Sequence, residues 1–203
     1  MKRLALGLST FVLVLSAGLA HASVITYSAQ LSGAAEVPPN ASPGTGEVTV
    51  TIDDVANTMS VEATFANLLG TTVAAHIHCC TAVPLTGTAG VATTTPNFPG
   101  FPLGVTGGAY GASFDLLDPA SYNPAFITSN GSVAAARASL LAGMAAGLTY
   151  FNIHSTVAPG GEIRGFLVEV PAEVPEPASL ALLGMGGAAL LLRRRPRATP
   201  ALS

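Results

Sequence analysis

Residues 48–52 read Val-Thr-Val-Thr-Ile, and residues 59–65 read Met-Ser-Val-Glu-Ala-Thr-Phe. Apolar and polar side chains alternate in both runs, which is the period of a β-strand with one buried face. The intervening residues 53–57, Asp-Asp-Val-Ala-Asn, are typical of a turn. The two runs therefore predict a β-hairpin.

Five further short runs bring the number of predicted strands to seven, at 25–31, 72–79, 109–116, 148–154 and 162–168. Gly, Pro, Asn and Thr separate them. This pattern predicts an all-β domain, an antiparallel β-sandwich of the Greek-key, immunoglobulin-like kind. Residues 81–108, rich in Gly, Pro and Thr, are expected to form one long ordered loop, and the Ala-rich residues 132–146 one short helix.

The N-terminus has the pattern of a secretory signal peptide over residues 1–22. Lys2 and Arg3 precede an uncharged, mostly apolar run from Leu4 to Leu15, and the triplet Ala20-His21-Ala22 follows. The run is too short to span a hydrocarbon core of roughly 30 Å, so we expect signal peptidase to cleave after Ala22. The alternative is an uncleaved N-terminal anchor.

The C-terminal residues 173–203 carry a second pattern of three parts. An apolar, Gly-containing stretch, 178–192, would cover only about 22 Å as a helix, which makes a short transmembrane segment but a weak anchor. The basic residues that follow it hold this end in the cytoplasm. The residues that flank the stretch are Pro175, Glu176 and Pro177 before it, and Arg193, Arg194 and Arg195 after it.

These three parts, in this order, resemble the PEP-CTERM sorting signal of Gram-negative bacteria. The resemblance implies export across the inner membrane, transient anchoring by the C-terminus, processing by an exosortase-type membrane protease, and release to the cell surface or the medium. In that family the signal accompanies extracellular polysaccharide and biofilm genes. It therefore implies a biofilm-matrix role, with extracellular polysaccharide or surface proteins as partners.

Residues 23–172, between the two signals, suit one domain with its own core. From Ser23 to Pro175 there are two basic residues against ten acidic ones, a net charge of −8, and no lysine. Nucleic-acid binding is excluded because it needs basic residues to neutralise phosphates. The sequence has no Gly-x-Ser-x-Gly, phosphate-binding Gly-Lys-Ser or His-Glu-x-x-His motif, so we expect a noncatalytic protein.

Four motif blocks stand out in this domain: Leu-Ser-Gly-Ala-Ala-Glu-Val-Pro-Pro at 31–39, Ala-Ala-His-Ile-His at 74–78, Tyr-Phe-Asn-Ile-His at 150–154 and Gly-Gly-Glu-Ile-Arg-Gly at 160–165. In this order and spacing they resemble the CHRD domain, a module named for its repeats in chordin, over roughly residues 25–169. The resemblance implies a secreted domain. It carries no settled activity, since growth-factor binding by chordin belongs to a multidomain assembly.

Three histidines lie inside these blocks. Residues two apart on a strand point to one face with Cα atoms about 6.5 to 7 Å apart, so His76 and His78 present their imidazoles side by side. If their strand pairs with that of His154, three imidazoles converge, which suits zinc or copper with an open fourth position. Cys79 or Cys80 could then add a thiolate. The alternative is three structural histidines bonded to loop carbonyls.

Two pairs of residues leave further alternatives open. In an exported protein, Cys79 and Cys80 could form a vicinal disulfide, bridge two molecules or remain free thiols. Glu162 and Arg164 lie two apart on a strand and are expected to form a structural ion pair or to anchor the neighbouring loop, with an anion contact of Arg164 as the alternative. Two functions follow: a noncatalytic surface or matrix protein, or a metal-binding exported domain.

The first prediction concerns processing. We expect protein isolated from its native host to lack residues 1–22 and the arginine cluster, because both ends carry cleavage signals. Intact-mass spectrometry measures this directly. A mass that includes Arg193 to Arg195 would contradict the sorting signal.

Overall fold

The computed structural model describes residues 24–171. The predicted signal peptide and the sorting signal, with its short transmembrane segment, lie outside the described residues. Within the described part, no helix is both long enough and apolar enough to cross a membrane.

The strands of the described chain are antiparallel and belong to one sheet. They are β1 Val24–Ser32, β2 Thr45–Asp53, β3 Thr58–Ala66, β4 Thr72–His78, β5 Gly108–Asp115, β6 Tyr150–Ser155, β7 Ile163–Phe166 and β8 Val168–Glu169. Their order is β4-β6-β7-β1-β2-β3-β5, and the two-residue β8 pairs with β1. The predicted all-β, antiparallel fold of about seven strands is confirmed.

The predicted hairpin is the pair β2 and β3, with Val50 opposite Val61. The alternating apolar residues of both strands lie in the core, where these two valines are fully buried. Asp53 ends β2, and its carboxylate accepts hydrogen bonds from the N–H groups of Val55 and Ala56. The aspartate therefore stabilises the turn that fixes the register of the hairpin.

The long loop between β4 and β5 closes the core. Its Phe98 is fully buried, with ring centroids 5.2 Å from Phe114 on β5 and 6.0 Å from Phe151 on β6. β5 and β6 lie towards opposite ends of the strand order. The sheet is therefore curled, so that strands from both ends contact the side chain of Phe98. The loop is thus an ordered part of the fold, as its apolar residues predict.

The expected single helix is corrected to two α-helices in the described residues, α1 Pro124–Asn130 and α2 Val133–Ala145. Asn123 caps α1 by accepting from the N–H of Ala125, and Pro124 occupies its first turn. Gly131 has a φ of 89°, which ends α1 and lets the chain turn, and the hydroxyl of Ser132 then caps α2. The alanines of residues 132–146 predict α2, whereas the mixed composition of the shorter α1 does not indicate a helix.

We expect Phe98→Ala to lower the free energy of unfolding by about 3 to 5 kcal/mol, because it leaves a cavity between the two ends of the sheet. Urea denaturation monitored by circular dichroism measures the loss. The matched control is Leu117→Ala at an exposed position, expected to change stability by less than about 0.5 kcal/mol. A similar effect of both variants would contradict the role of Phe98.

Candidate metal centre

The pairing of β4 with β6 brings the three histidines together. It sets His76 opposite Asn152, His78 opposite Tyr150 and Ala74 opposite His154. All three imidazoles therefore lie on the face of the sheet opposite the core residues Ala75 and Ile77. Each histidine offers one ring nitrogen to a group in which all such atoms lie within 4.8 Å of one another.

The other nitrogen of each ring is held by a loop. The bonds join His76 Nε2 to the Pro96 carbonyl (2.7 Å), His78 Nδ1 to that of Ala89 (2.9 Å) and His154 Nδ1 to that of Pro159 (2.9 Å). A carbonyl only accepts, so each bonded nitrogen carries the hydrogen and the other has a free lone pair. The nitrogens left over, one in each ring, are buried and have no hydrogen-bond partner.

Burial keeps these imidazoles neutral. It is the largest cause that lowers the pKa of His76 and of His78 to about 4, and the nearby His154 acts in the same direction. Burial also lowers the pKa of His154. A neutral imidazole with a free, inward-facing nitrogen and a hydrogen-bonded second nitrogen is the form in which histidine binds a metal ion.

Tyr150 positions His78 in two ways. The two rings stack with centroids 4.7 Å apart and planes 9° from parallel. The tyrosine hydroxyl also bonds to the backbone of Ala89, accepting from its N–H at 3.2 Å and donating to its carbonyl at 3.1 Å. That same carbonyl accepts the hydrogen bond of His78, so Tyr150 fixes both the ring and its partner.

Arg164 extends this arrangement from β7, where it pairs with Asn152. Its guanidinium carbon lies 4.7 Å from the centre of the Tyr150 ring, and its Nη1 donates to the Gly87 carbonyl at 3.1 Å. Its Nε donates to the Ala35 carbonyl. We call the buried face made by these side chains the polar layer, which comprises Glu36, His76, His78, Tyr150, Asn152, His154 and Arg164.

The predicted ion pair between Glu162 and Arg164 is wrong. Arg164 lies 3.7 Å from Glu36, which the 31–39 block brings over β7. The carboxylate of Glu162 instead accepts from the Ser42 hydroxyl at 2.6 Å and from the backbone N–H groups of Leu69 and Gly70. Glu162 therefore anchors the neighbouring loops, which is the alternative role, because the loop donors occupy its carboxylate and Arg164 pairs elsewhere.

The predicted thiolate ligand is also wrong in this structure. Cys79 and Cys80 are bonded to each other as a vicinal disulfide, one of the three alternatives. Alternation along the chain turns Cys79 to the core side, away from His78, where it is 5 % exposed. Among the described residues, the metal-ligating cluster at this position consists of the three histidines without a sulfur or a carboxylate.

All four motif blocks meet in the polar layer. The first supplies Glu36, the second His76 and His78, the third Tyr150, Asn152 and His154, and the fourth Arg164. The sequence pattern predicted no role for Tyr150 or Asn152, although both lie in the 150–154 block. The available signal was their alternation with His154 on one strand, which puts all three on one face.

Glu36 is buried, with 6 % exposure, directly after the short 3-10 helix Gly33–Ala35. Burial raises its pKa to about 7, and the opposing effect of Arg164 is smaller. Its Oε1 has no hydrogen-bond partner and lies beside Gly161, where the Asn152 amide also faces the same space. The polar layer thus contains a carboxyl group that gains its charge only near neutral pH.

Two family models match the chain. The model of the CHRD domain matches residues 27–167, and the model of the PEP-CTERM protein-sorting motif matches residues 173–195. The first match contains the whole polar layer, and both resemblances drawn from the sequence are confirmed. No curated protein and no solved structure matches the chain.

Glu36→Gln tests the buried carboxyl. In the folded protein the pKa of Glu36 is raised from 4.5 to about 7. The contribution of Glu36 to the free energy of unfolding of the wild type is therefore fully present below pH 4.5 and is lost as the pH rises through 7. Because glutamine stays neutral, the free energy of unfolding of Glu36→Gln should rise relative to that of the wild type between pH 4.5 and 7, by up to about 3 kcal/mol. Urea denaturation at a series of pH values measures the difference.

The matched control is Glu47→Gln at an exposed position of β2, expected to alter stability by less than about 0.5 kcal/mol. A stability difference for Glu36→Gln that stays constant from pH 4 to 8 would contradict the raised pKa.

Proposed function

We propose that this chain, which belongs to the CHRD domain family and carries a PEP-CTERM sorting motif, is an exported noncatalytic protein that binds zinc or copper through His76, His78 and His154. The family membership and the sorting motif support export through an exosortase-type system. The metal site is the function that the geometry supports best.

One observation carries the proposal: three imidazole rings lie with their centroids 5.3 to 6.0 Å apart, and each has one buried nitrogen without a hydrogen-bond partner among the described residues. A buried acceptor that lacks a hydrogen bond costs about 1 to 3 kcal/mol, so a purely structural histidine would be expected to satisfy both of its nitrogens. Here a loop carbonyl bonds to one nitrogen of each ring, and the other nitrogen has no partner among the described residues, in a cluster where each histidine offers a nitrogen within 4.8 Å of the others. An ion bound by all three would satisfy them together.

The donor set favours late transition metals. Calcium and magnesium prefer several oxygen ligands, and the cluster formed within residues 24–171 offers three nitrogens instead. Imidazole suits zinc, copper, iron and nickel, and of these zinc and copper are the two ions that we propose. Three protein ligands leave one coordination position for water or an exogenous group.

Burial favours storage, buffering or a structural use of the ion over catalysis. His76 and His78 are 6 % and 7 % exposed, and loop carbonyls cover the outer edge of each ring. A substrate would have to displace those loops. The absence of the common catalytic motifs from the sequence agrees with a noncatalytic protein.

The sorting motif supports a place of action outside the cytoplasm, after signal peptidase and an exosortase-type protease have processed the two ends. We place the protein at the cell surface or in the biofilm matrix, where its metal-loaded domain contacts extracellular polysaccharide or surface proteins. Its acidic character, −8 between Ser23 and Pro175, favours partners that are neutral or basic.

Calorimetry tests the metal site. The purified protein, stripped with a chelator and dialysed at neutral pH, should bind about one zinc or copper ion per chain. His76→Ala and His78→Ala should each weaken binding at least 100-fold, because two ligands are left. The control Glu47→Gln, exposed on β2, should bind like the wild type.

Circular dichroism of each variant establishes that it is folded. If the folded wild type binds neither zinc nor copper, the three histidines are structural, and the surface or matrix role remains without a metal.

A further inference from the structure

The vicinal disulfide lies directly after a proposed metal ligand. Cys79 and Cys80 follow His78, the last residue of β4. Cys79 is almost fully buried, whereas Cys80 is exposed. The proposed function gives neither sulfur a role, although both are attached to the segment that sets the position of His78.

Helix α2 packs tightly on this disulfide. A Cβ atom added to Gly143 would lie 2.6 Å from the sulfur of Cys79 and 2.6 Å from that of Cys80. Side-chain carbons essentially never come this close to another heavy atom, so only glycine fits at position 143. The two sulfurs therefore rest on the helix backbone with no spare room between them.

Hydrogen bonds on both sides hold the same segment. The N–H of Cys79 donates to the Gly90 carbonyl at 3.1 Å, and that of Thr81 donates to the Leu148 carbonyl at 3.0 Å. His78 bonds to the neighbouring Ala89 carbonyl. A displacement of Cys79 must therefore disturb the contacts that orient the His78 ring.

We propose that the Cys79–Cys80 disulfide controls the metal site, so that the oxidised protein binds the ion tightly and reduction releases it. The inference rests on the proposed function, since it concerns the regulation of that site. Reduction breaks the bond between the two sulfurs, so each thiol takes a position of its own. Gly143 leaves no space on the side of α2, so the reduced Cys79–Cys80 segment moves away from the helix and takes His78 from the other two imidazoles.

The reductant is a dithiol, which supplies two electrons. Its first thiolate attacks the exposed sulfur of Cys80, a mixed disulfide forms, and the electron pair of the broken S–S bond leaves with the sulfur of Cys79. The second thiol of the reductant then attacks the reductant's first sulfur in the mixed disulfide and releases the sulfur of Cys80 as a thiolate. The reductant ends as a disulfide, and the two cysteine thiolates each take up one proton.

The test compares affinities for two probes, Zn²⁺ and Cu⁺, in the two redox states. Zinc has no redox chemistry of its own and does not oxidise the thiols. The full protein is reduced with a dithiol, freed of reductant without oxygen, and titrated by calorimetry beside the oxidised protein, with Cu⁺ as a second probe under the same conditions. We expect the Kd to rise at least tenfold on reduction and to return on reoxidation.

The double variant Cys79→Ser with Cys80→Ser is the matched control. It cannot form the bond, so its affinity should equal that of the reduced wild type and should not respond to the dithiol. The return of wild-type affinity on reoxidation tests the proposal without any variant, should the double variant fold poorly.

The outcomes separate the two proposals. If the oxidised protein binds neither probe, the proposed metal site itself fails. If both redox states bind with equal affinity, the site stands and the control by the disulfide is overturned. Tighter binding after reduction would also overturn it, because a thiolate would then have joined the histidines as a ligand.

Discussion

The antiparallel register between β4 and β6 is the constraint on which the polar layer depends. It sets His76 beside Asn152 and His78 beside Tyr150, and it brings His154 into the same group. A slip of one residue would turn every side chain of β4 to the other face and bury both imidazoles in the apolar core. Ile77 and Phe151, fully buried on the opposite face, prevent that slip, so the core determines the site.

The polar layer in turn explains why the long loop before β5 is ordered. The loop inserts Phe98 into the core and gives its carbonyls at Gly87, Ala89 and Pro96 to buried side chains of the sheet. Arg164 donates one of these hydrogen bonds, and its guanidinium also lies close to the Glu36 carboxyl group and to the face of the Tyr150 ring. A buried guanidinium without such partners would be costly, so the loops and the layer stabilise each other.

The disulfide and the three imidazoles occupy the two faces at the same end of β4. The histidines face the loops, whereas the sulfurs face α2 and Gly143. Under the proposed control by the disulfide, this arrangement would connect the redox state of the two cysteines to the geometry of the three-histidine cluster. The connection is short because one peptide bond joins His78 to Cys79.

The sequence by itself determined the β-strand period, the β2–β3 hairpin and the shared face of His76 and His78, because these depend on residues close together in the chain. It also identified the four blocks that meet in the polar layer. Only the tertiary structure decided that Glu36 pairs with Arg164, that Glu162 anchors loops and that the cysteines turn away from the histidines. Those choices depend on which distant strands and loops pack together, and side-chain alternation within one strand does not encode that.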